Sequence, residues 1–146
     1  MVMIMYSLKC SASFDSAHFL SGYEGKCANI HGHRWVVEAV FCGKDLRNSG
    51  SQRGMLVDFG DIKGVLREIA AGFDHSLIYE KGSLKDSTIL ALKDENFKLV
   101  ELDVRPTAEN FARIIFIKLR DTALPVRSVT VYETPDNCAV YEEDDL

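Results

Sequence analysis

The chain has 146 residues, which is enough for one domain with its own core and too few for two. Its composition is 47% hydrophobic and 27% charged with three prolines, a globular balance that excludes disordered, collagen-like and low-complexity chains. A net charge of −5 argues against a general nucleic-acid binder, because phosphate neutralisation needs a basic face. No apolar run reaches the ~18 residues of a membrane span. Four cysteines without a secretion signal indicate reduced thiols. We therefore expect a single cytoplasmic domain over residues 1–146, without nucleic-acid or membrane partners.

The first half of the chain predicts two strands and a helix. Strict alternation of apolar and polar residues from Tyr6 to Phe14 predicts a half-buried strand, and a second strand is expected from about His31 to Cys42. The polar stretch 43–54 resembles a hairpin connection. Apolar residues at helical spacing then predict a helix that begins near Asp58 and Asp61, because carboxylates suit a helix N-terminus.

The second half predicts one helix and two or three strands. Residues 79–96 have no clear periodicity and are expected to form a long mobile loop, and 98–104 alternate weakly, as in an edge strand. Thr107 is the expected N-cap of a helix that ends before Pro125. Two final strands, 127–134 and 139–142, are joined by a tight turn. This order predicts an α+β fold, an antiparallel sheet with two helices packed on one face.

Three of the four histidines lie at 18, 31 and 33. Side chains two apart on a strand point the same way, so His31 and His33 could reach one metal ion, and His18 at the end of the neighbouring strand could supply a third nitrogen. Three histidines with one open position is how a catalytic zinc is held. The alternative is that these are ordinary hydrogen-bonded histidines near a turn.

Cys27 stands four residues before His31. A thiol close to zinc and a histidine can act as a thiolate base or nucleophile. Two alternatives remain open, an inert buried thiol and a fourth ligand that closes a structural zinc site. The other three cysteines lie within strand patterns and are expected to be inert buried thiols: Cys10, Cys42 and Cys138.

Two further features involve carboxylates. Asp74 directly precedes His75, and adjacent residues on a turn can hold a carboxylate against an imidazole and orient it. The alternative is a histidine favoured at a helix end by the macrodipole. Glu133 shares a strand face with Val129 and Val131, which is costly for a carboxylate unless a ligand or partner pairs with it. The alternative is that Glu133 lies at the exposed end of the strand.

Six segments, in order along nearly the whole chain, resemble the 6-pyruvoyltetrahydropterin synthase and 6-carboxytetrahydropterin synthase family. They are Phe14-Asp15-Ser16-Ala17-His18, Cys27-Ala28-Asn29-Ile30-His31-Gly32-His33, Gly54-Met55-Leu56-Val57-Asp58-Phe59, Phe73-Asp74-His75, Pro106-Thr107-Ala108-Glu109-Asn110 and Tyr132-Glu133-Thr134. The resemblance implies the tunnelling fold, in which subunits join as trimers into a barrel, trimers stack as hexamers, and active sites lie between subunits.

The resemblance also implies roles for individual residues. The zinc ligands would be His18, His31 and His33. Cys27 is similar to the family's catalytic thiol, and Asp74 with His75 resembles its acid/base relay, offered by a neighbouring subunit. Glu133 resembles the family's pterin anchor, and Thr107 a position that lines the pterin pocket. The triphosphate needs cations, for which Lys26 is a candidate.

The spacing Cys-x3-His-Gly-His resembles the carboxy-forming branch of the family, which serves queuosine and deazapurine biosynthesis. The implied substrate is 7,8-dihydroneopterin triphosphate, and the implied products are 6-carboxy-5,6,7,8-tetrahydropterin, acetaldehyde and triphosphate. Two alternatives remain open. One is a 6-pyruvoyltetrahydropterin synthase, which loses no carbon. The other is a pterin- or zinc-binding module without turnover, against which Cys27, Asp74 and His75 argue together, because binding needs neither a thiol nor a relay.

Overall fold

The structure, a computed structural model, describes residue 2 and residues 5–144. Within these residues six strands and three α-helices occur. The strands are β1 Tyr6–His18, β2 His31–Gly43, β3 Ser76–Glu80, β4 Leu99–Leu102, β5 Val126–Thr134 and β6 Asn137–Glu142. The helices are α1 Phe59–Phe73, α2 Asp86–Asp94 and α3 Ala108–Asp121, with a short 3-10 helix at Lys26–Ala28. Among the described helices, none is long and apolar enough to span a membrane.

The strands form one sheet in the order β4-β3-β1-β2-β5-β6. The four strands β1, β2, β5 and β6 pair antiparallel with their neighbours, as the sequence predicts. At the other side of the sheet, β3 pairs parallel with β1, and β4 pairs parallel with β3. The sheet is therefore mixed, and the prediction of a wholly antiparallel sheet is wrong at this side.

The core lies between one face of the sheet and the helices α1 and α3. Both helices carry an apolar stripe toward β1, β2 and β5, as their helical spacing predicts. Trp35 and Phe111 are fully buried at the centre of this layer, and their rings pack edge to face with centroids 4.8 Å apart. The alternation along β1 and β2 thus determines which side chains face the helices and which face the opposite side.

Both predicted helix starts are confirmed. Asp58 is the N-cap of α1 and accepts a hydrogen bond from the Gly60 amide at 2.7 Å. Thr107 is the N-cap of α3 and accepts from the Asn110 amide at 3.2 Å. These side chains satisfy amides that a helix leaves without intrahelical partners.

The segment 79–96 is not the long loop that the sequence predicts. It contains the end of β3, a turn with Gly82 at a φ of 82°, and the helix α2. None of the residues of α2 is buried. A helix that buries no face needs no apolar stripe, which is why hydrophobic periodicity does not reveal it.

Candidate metal centre and active site

The pairing of β1 with β2 brings the three histidines together. His18 lies directly opposite His31, and Ser16 lies opposite His33. Residues directly opposite in an antiparallel pair share a face, and alternate residues of one strand share it too. The imidazoles therefore lie on the face of Phe14 and Trp35, at the end of the core where β1 ends and β2 begins. The predicted cluster of His18, His31 and His33 is present.

Two of the imidazoles are fixed by backbone carbonyls. His18 is buried, and its Nδ1 lies 2.8 Å from the Pro106 carbonyl oxygen, while the Nδ1 of His31 lies 2.7 Å from the Asn29 carbonyl oxygen. A carbonyl can only accept, so both Nδ1 atoms must carry the proton and both neutral rings present a lone pair at Nε2. Metal-bound histidines are held in this way, with the second nitrogen donating to a carbonyl.

The two Nε2 lone pairs face each other. The Nε2 atoms of His18 and His31 are 3.1 Å apart. With both protons at Nδ1, neither Nε2 has a hydrogen to donate, so two neutral rings form no hydrogen bond there. A cation shared by the two lone pairs accounts for this approach.

His33 and Glu133 complete the group. The Nε2 of His33 is 3.0 Å from Glu133 Oε1, yet this buried nitrogen makes no hydrogen bond of acceptable geometry. Glu133 lies in β5 where the pairing with β6 shifts, between Tyr132 and Thr134. Such a bulge re-aims a side chain. The alternation that buries Val129 and Val131 places Glu133 on the same core face, so it does not simply project from an exposed strand end.

Burial favours the neutral form of two histidines of this cluster. It lowers the pKa of His18, where the hydrogen bond with the Pro106 carbonyl opposes the effect in part, and it lowers the pKa of His33, where the Glu133 carboxylate opposes it in part. The neutral imidazole is the form that binds a metal ion.

The four side chains have the donor atoms of a metal site. One ligand atom from each of His18, His31, His33 and Glu133 lies within 4.8 Å of the others. Nitrogen-rich sites with one carboxylate suit zinc and other transition metals. The buried Nε2 of His33, which has no hydrogen-bond partner, and the two opposed lone pairs both fit a bound cation. The sequence was enough to predict that the three histidines lie together. It was not enough to predict that Glu133 lies beside them, because the position of Glu133 depends on the register of β5 against β2 and on the bulge.

The turn at the N-terminus of α3 contacts the histidine cluster. The carbonyl of Pro106 accepts from His18, and the next residue, Thr107, is the N-cap of the helix. The helix cap and the orientation of a histidine thus depend on the same turn.

Cys27 lies in the 3-10 helix between β1 and β2 and is half-buried. It does not belong to the group of possible ligand atoms found among the described residues. All four cysteines are free. Burial raises the pKa of the Cys10 thiol, which suits the inert role expected of it. The expectation of a buried thiol is wrong for Cys138, which is exposed on β6.

Asp74 and His75 form the predicted carboxylate–imidazole pair. The Nδ1 of His75 is 2.8 Å from Asp74 Oδ2, and the Asp15 amide donates to Asp74 Oδ1 at 2.9 Å. These hydrogen bonds, the one from Asp15 first, lower the pKa of Asp74 and keep it a carboxylate. His75 has a φ of 53°, a left-handed conformation, and its amide donates to the Asp15 carbonyl at 2.7 Å.

Asp74 and His75 do not belong to the group of possible ligand atoms found among the described residues. The imidazole of His75 is 79% exposed and lines an open groove of about 700 Å³, together with Asp15, Arg34 and His33. By alternation, Asp15 and its partner Arg34 face away from the side that carries the three histidines. The groove therefore borders the metal cluster at His33, but the pair of Asp74 and His75 contributes no ligand atom to that cluster.

The fold and the cluster define a class, an α+β protein with a curled mixed sheet, helices on one face and a candidate three-histidine metal centre. The sequence pattern of the family described as 6-pyruvoyl tetrahydropterin synthase matches residues 7–144. The chain belongs to this family.

Relatives and solved structures agree with this assignment. The chain is similar to 6-carboxy-5,6,7,8-tetrahydropterin synthase from Haemophilus influenzae, with 36% identity over 142 residues, 95% of this chain and 100% of the relative. It is 35% identical to the protein of that name from Rickettsia bellii, over 91% of this chain and 98% of the relative.

Among solved structures, 6-pyruvoyl tetrahydropterin synthase from Plasmodium vivax has a TM-score of 0.71 at 18% identity and covers 97% of this chain and 99% of its own. The Caenorhabditis elegans protein of that name has a TM-score of 0.67 at 23% identity, over 97% of this chain and 98% of its own. The likeness establishes, for the single subunit, the tunnelling fold that the resemblance implied.

Proposed function

We propose that the chain is a zinc-dependent 6-carboxy-5,6,7,8-tetrahydropterin synthase, a cytoplasmic lyase of queuosine and deazapurine biosynthesis. It would convert 7,8-dihydroneopterin triphosphate and water to 6-carboxytetrahydropterin, acetaldehyde and triphosphate. The observation that carries the proposal is the convergence of three imidazoles, two of them with fixed tautomers, in a chain similar over 95% of its length to a relative of this name.

The zinc ion would be held by His18, His31 and His33. Zinc suits imidazole ligands, and three protein nitrogens leave a position for substrate, as in catalytic sites. When bound, zinc supplies Lewis-acid polarisation of the substrate side chain. The carbonyls of Pro106 and Asn29 orient the rings of His18 and His31 for this purpose.

Glu133 would bind the pterin. The edge of the pterin ring presents an amino group and a ring N–H side by side, and one carboxylate can accept both as a charge-assisted pair. In the free chain, one oxygen of this carboxylate lies 3.0 Å from the Nε2 of His33. Thr107, half-buried at the start of α3, would line the same pocket.

Proton transfer would fall to Cys27 and to the pair of Asp74 and His75. The carboxylate of Asp74 holds the proton of His75 at Nδ1, so Nε2 would carry the lone pair that acts as a base. The thiol of Cys27 is half-buried on the loop that leads into His31, from where it can exchange a proton with the substrate side chain.

The complete site would form between subunits. Asp74 and His75 contribute no ligand atom to the metal cluster of the same chain, and in this proposal a neighbouring copy supplies them. A homohexamer built as a dimer of trimers provides such shared sites. Lys26 is exposed near Cys27 and remains our candidate for the triphosphate.

In the test, zinc-loaded protein is incubated with 7,8-dihydroneopterin triphosphate, and the mass of the pterin product is measured. A product with one carboxyl carbon in place of the three-carbon side chain supports the proposal. A pterin that keeps all three carbons assigns the chain to the pyruvoyl branch, and unchanged substrate leaves a binding module.

A further inference from the structure

The loop that carries Cys27 is held at two adjacent points of its base. We call residues 20–29 the Cys27 loop. The Leu20 amide donates to the Cys27 carbonyl at 2.9 Å. At the next residue, the Ser21 carbonyl accepts from the guanidinium of Arg105, Nη2 to O, at 2.6 Å. This is a charge-assisted contact across 84 residues of sequence.

The loop is shaped to receive the guanidinium. Gly22, which follows the accepting residue, has a φ of 78°, a conformation that glycine adopts without strain. A Cβ atom at Gly22 would lie 3.6 Å from Arg105 Nη2, so the guanidinium packs directly on the turn. Arg105 is half-buried, and among the described residues no carboxylate forms an ion pair with it.

The backbone of Arg105 is fixed by the start of α3. Its carbonyl accepts from the Thr107 amide at 2.8 Å and from Asn110 Nδ2 at 2.9 Å. The next carbonyl, that of Pro106, accepts from the ring of His18. One short turn, 105–107, therefore holds a ligand of the candidate metal centre through its backbone and the Cys27 loop through its side chain.

We propose that Arg105 is a positioning residue that sets the place of Cys27 relative to the metal cluster. This inference rests on the proposed function, in which Cys27 transfers a proton. Proton transfer requires hydrogen-bond reach, so a loop that opens by an ångström or two removes the thiol from its reaction. Arg105 acts through the loop and makes no contact with the reacting atoms.

The test measures Cys27 directly. In folded, zinc-loaded protein without substrate, the rate of alkylation by iodoacetamide is followed for each cysteine peptide by mass spectrometry. Arg105→Met keeps the stem and removes the donors. In this variant, iodoacetamide should alkylate Cys27 about tenfold faster, since the loss of a hydrogen bond from a charged group favours local opening of the loop by roughly this factor. Exposed Cys138 is the internal reference and should not change.

Two further variants complete the experiment. Arg105→Lys retains a cation and should restore part of the protection, which also keeps the test valid if Arg105→Met folds poorly. Arg53→Met removes an exposed arginine on the connection between β2 and α1, residues 44–58, and should behave as wild type. An unchanged Cys27 rate in a folded Arg105→Met variant overturns the inference.

A measurement of turnover distinguishes the failure of this inference from the failure of the proposed function. If the wild type turns over the substrate, Arg105→Met should lower kcat about tenfold and change KM by less than about threefold, because the residue acts on the position of a catalytic group. A rise in KM with unchanged kcat would instead mean that Arg105 binds the substrate, and the positioning role would be wrong. If the wild type shows no turnover, the proposed function fails, while the alkylation rates still decide whether Arg105 holds the loop.

Discussion

At the scale of single residues, the candidate metal centre depends on which nitrogen of each histidine carries the proton. The carbonyls of Pro106 and Asn29 determine this for His18 and His31. Strand alternation was enough to predict that His31 and His33 share a face, because the period of a strand is fixed by the backbone. The anchoring carbonyls could not be predicted, since they belong to irregular turns whose geometry depends on the folded chain.

Replacing His31 and His33 together by alanine should abolish stable zinc binding. Two of three nitrogen ligands are lost, and the affinity should fall by more than about 100-fold, the upper end of what changes around the ligands alone produce. Metal content after dialysis and competition with a chelator measure this. His75→Ala removes the histidine outside the cluster and should retain zinc. Full retention of zinc in the double variant would contradict the assignment of the ligands.

Glu133→Gln should weaken pterin binding and leave the zinc in place. The amide presents a donor where the pterin edge also donates, and the charge is lost, so affinity should fall roughly 10- to 100-fold. Titration of the zinc-loaded protein with a pterin, followed by fluorescence, measures this. Exposed Glu142→Gln is the matched control. Release of zinc from Glu133→Gln would make this carboxylate a fourth ligand instead of a pterin anchor.

At the scale of secondary structure, the start of α3 joins the core to the site. The helix packs its apolar stripe on β5 and β6, and its N-terminal turn contacts His18 through Pro106. The sequence predicted this helix because its cap and its periodicity agree. It predicted neither β3, a short buried run without alternation, nor α2, which buries no residue. Both missed elements lack the periodic signal on which such predictions depend.

Thr107→Ala should lower the free energy of unfolding by about 1 kcal/mol, the usual cost of losing an N-cap. Urea unfolding at fixed protein and zinc concentration, followed by the fluorescence of buried Trp35, measures this. Thr107→Ser keeps the hydroxyl and should stay close to wild type. Equal destabilisation by serine and alanine would mean that the methyl group, and not the cap, stabilises the helix start.

At the scale of the whole molecule, the residues that resemble catalytic groups fall on different parts of the chain's surface. The histidine cluster lies at the end of the core, whereas His75 lines an open groove that includes only His33 of that cluster. The motifs along the sequence predicted candidate site residues, but their placement in the fold follows from strand register and from the turn after α1. In the proposed function, a site that combines them needs more than one copy.

Mixed oligomers should therefore recover activity from two inactive variants. In oligomers formed from Cys27→Ala and His75→Ala chains, some sites receive an intact Cys27 from one chain and an intact His75 from the other. Random mixing of equal amounts should restore about a quarter of the wild-type sites when each site combines two chains. Mixing Cys27→Ala with the Cys27→Ala, His75→Ala double variant should restore none. If the exchanged oligomers recover no activity, all catalytic groups of a site belong to one chain.

The most direct test of the central claim is the fate of the substrate side chain. Zinc-loaded protein is incubated with 7,8-dihydroneopterin triphosphate, the volatile aldehyde is trapped as a hydrazone, and the pterin is followed by mass in the same reaction. Cys27→Ala, which should keep its zinc, is the matched control and should form neither product. We expect equal amounts of acetaldehyde and 6-carboxytetrahydropterin from the wild type. A tetrahydropterin with its three-carbon side chain intact, and no trapped acetaldehyde, would contradict the account.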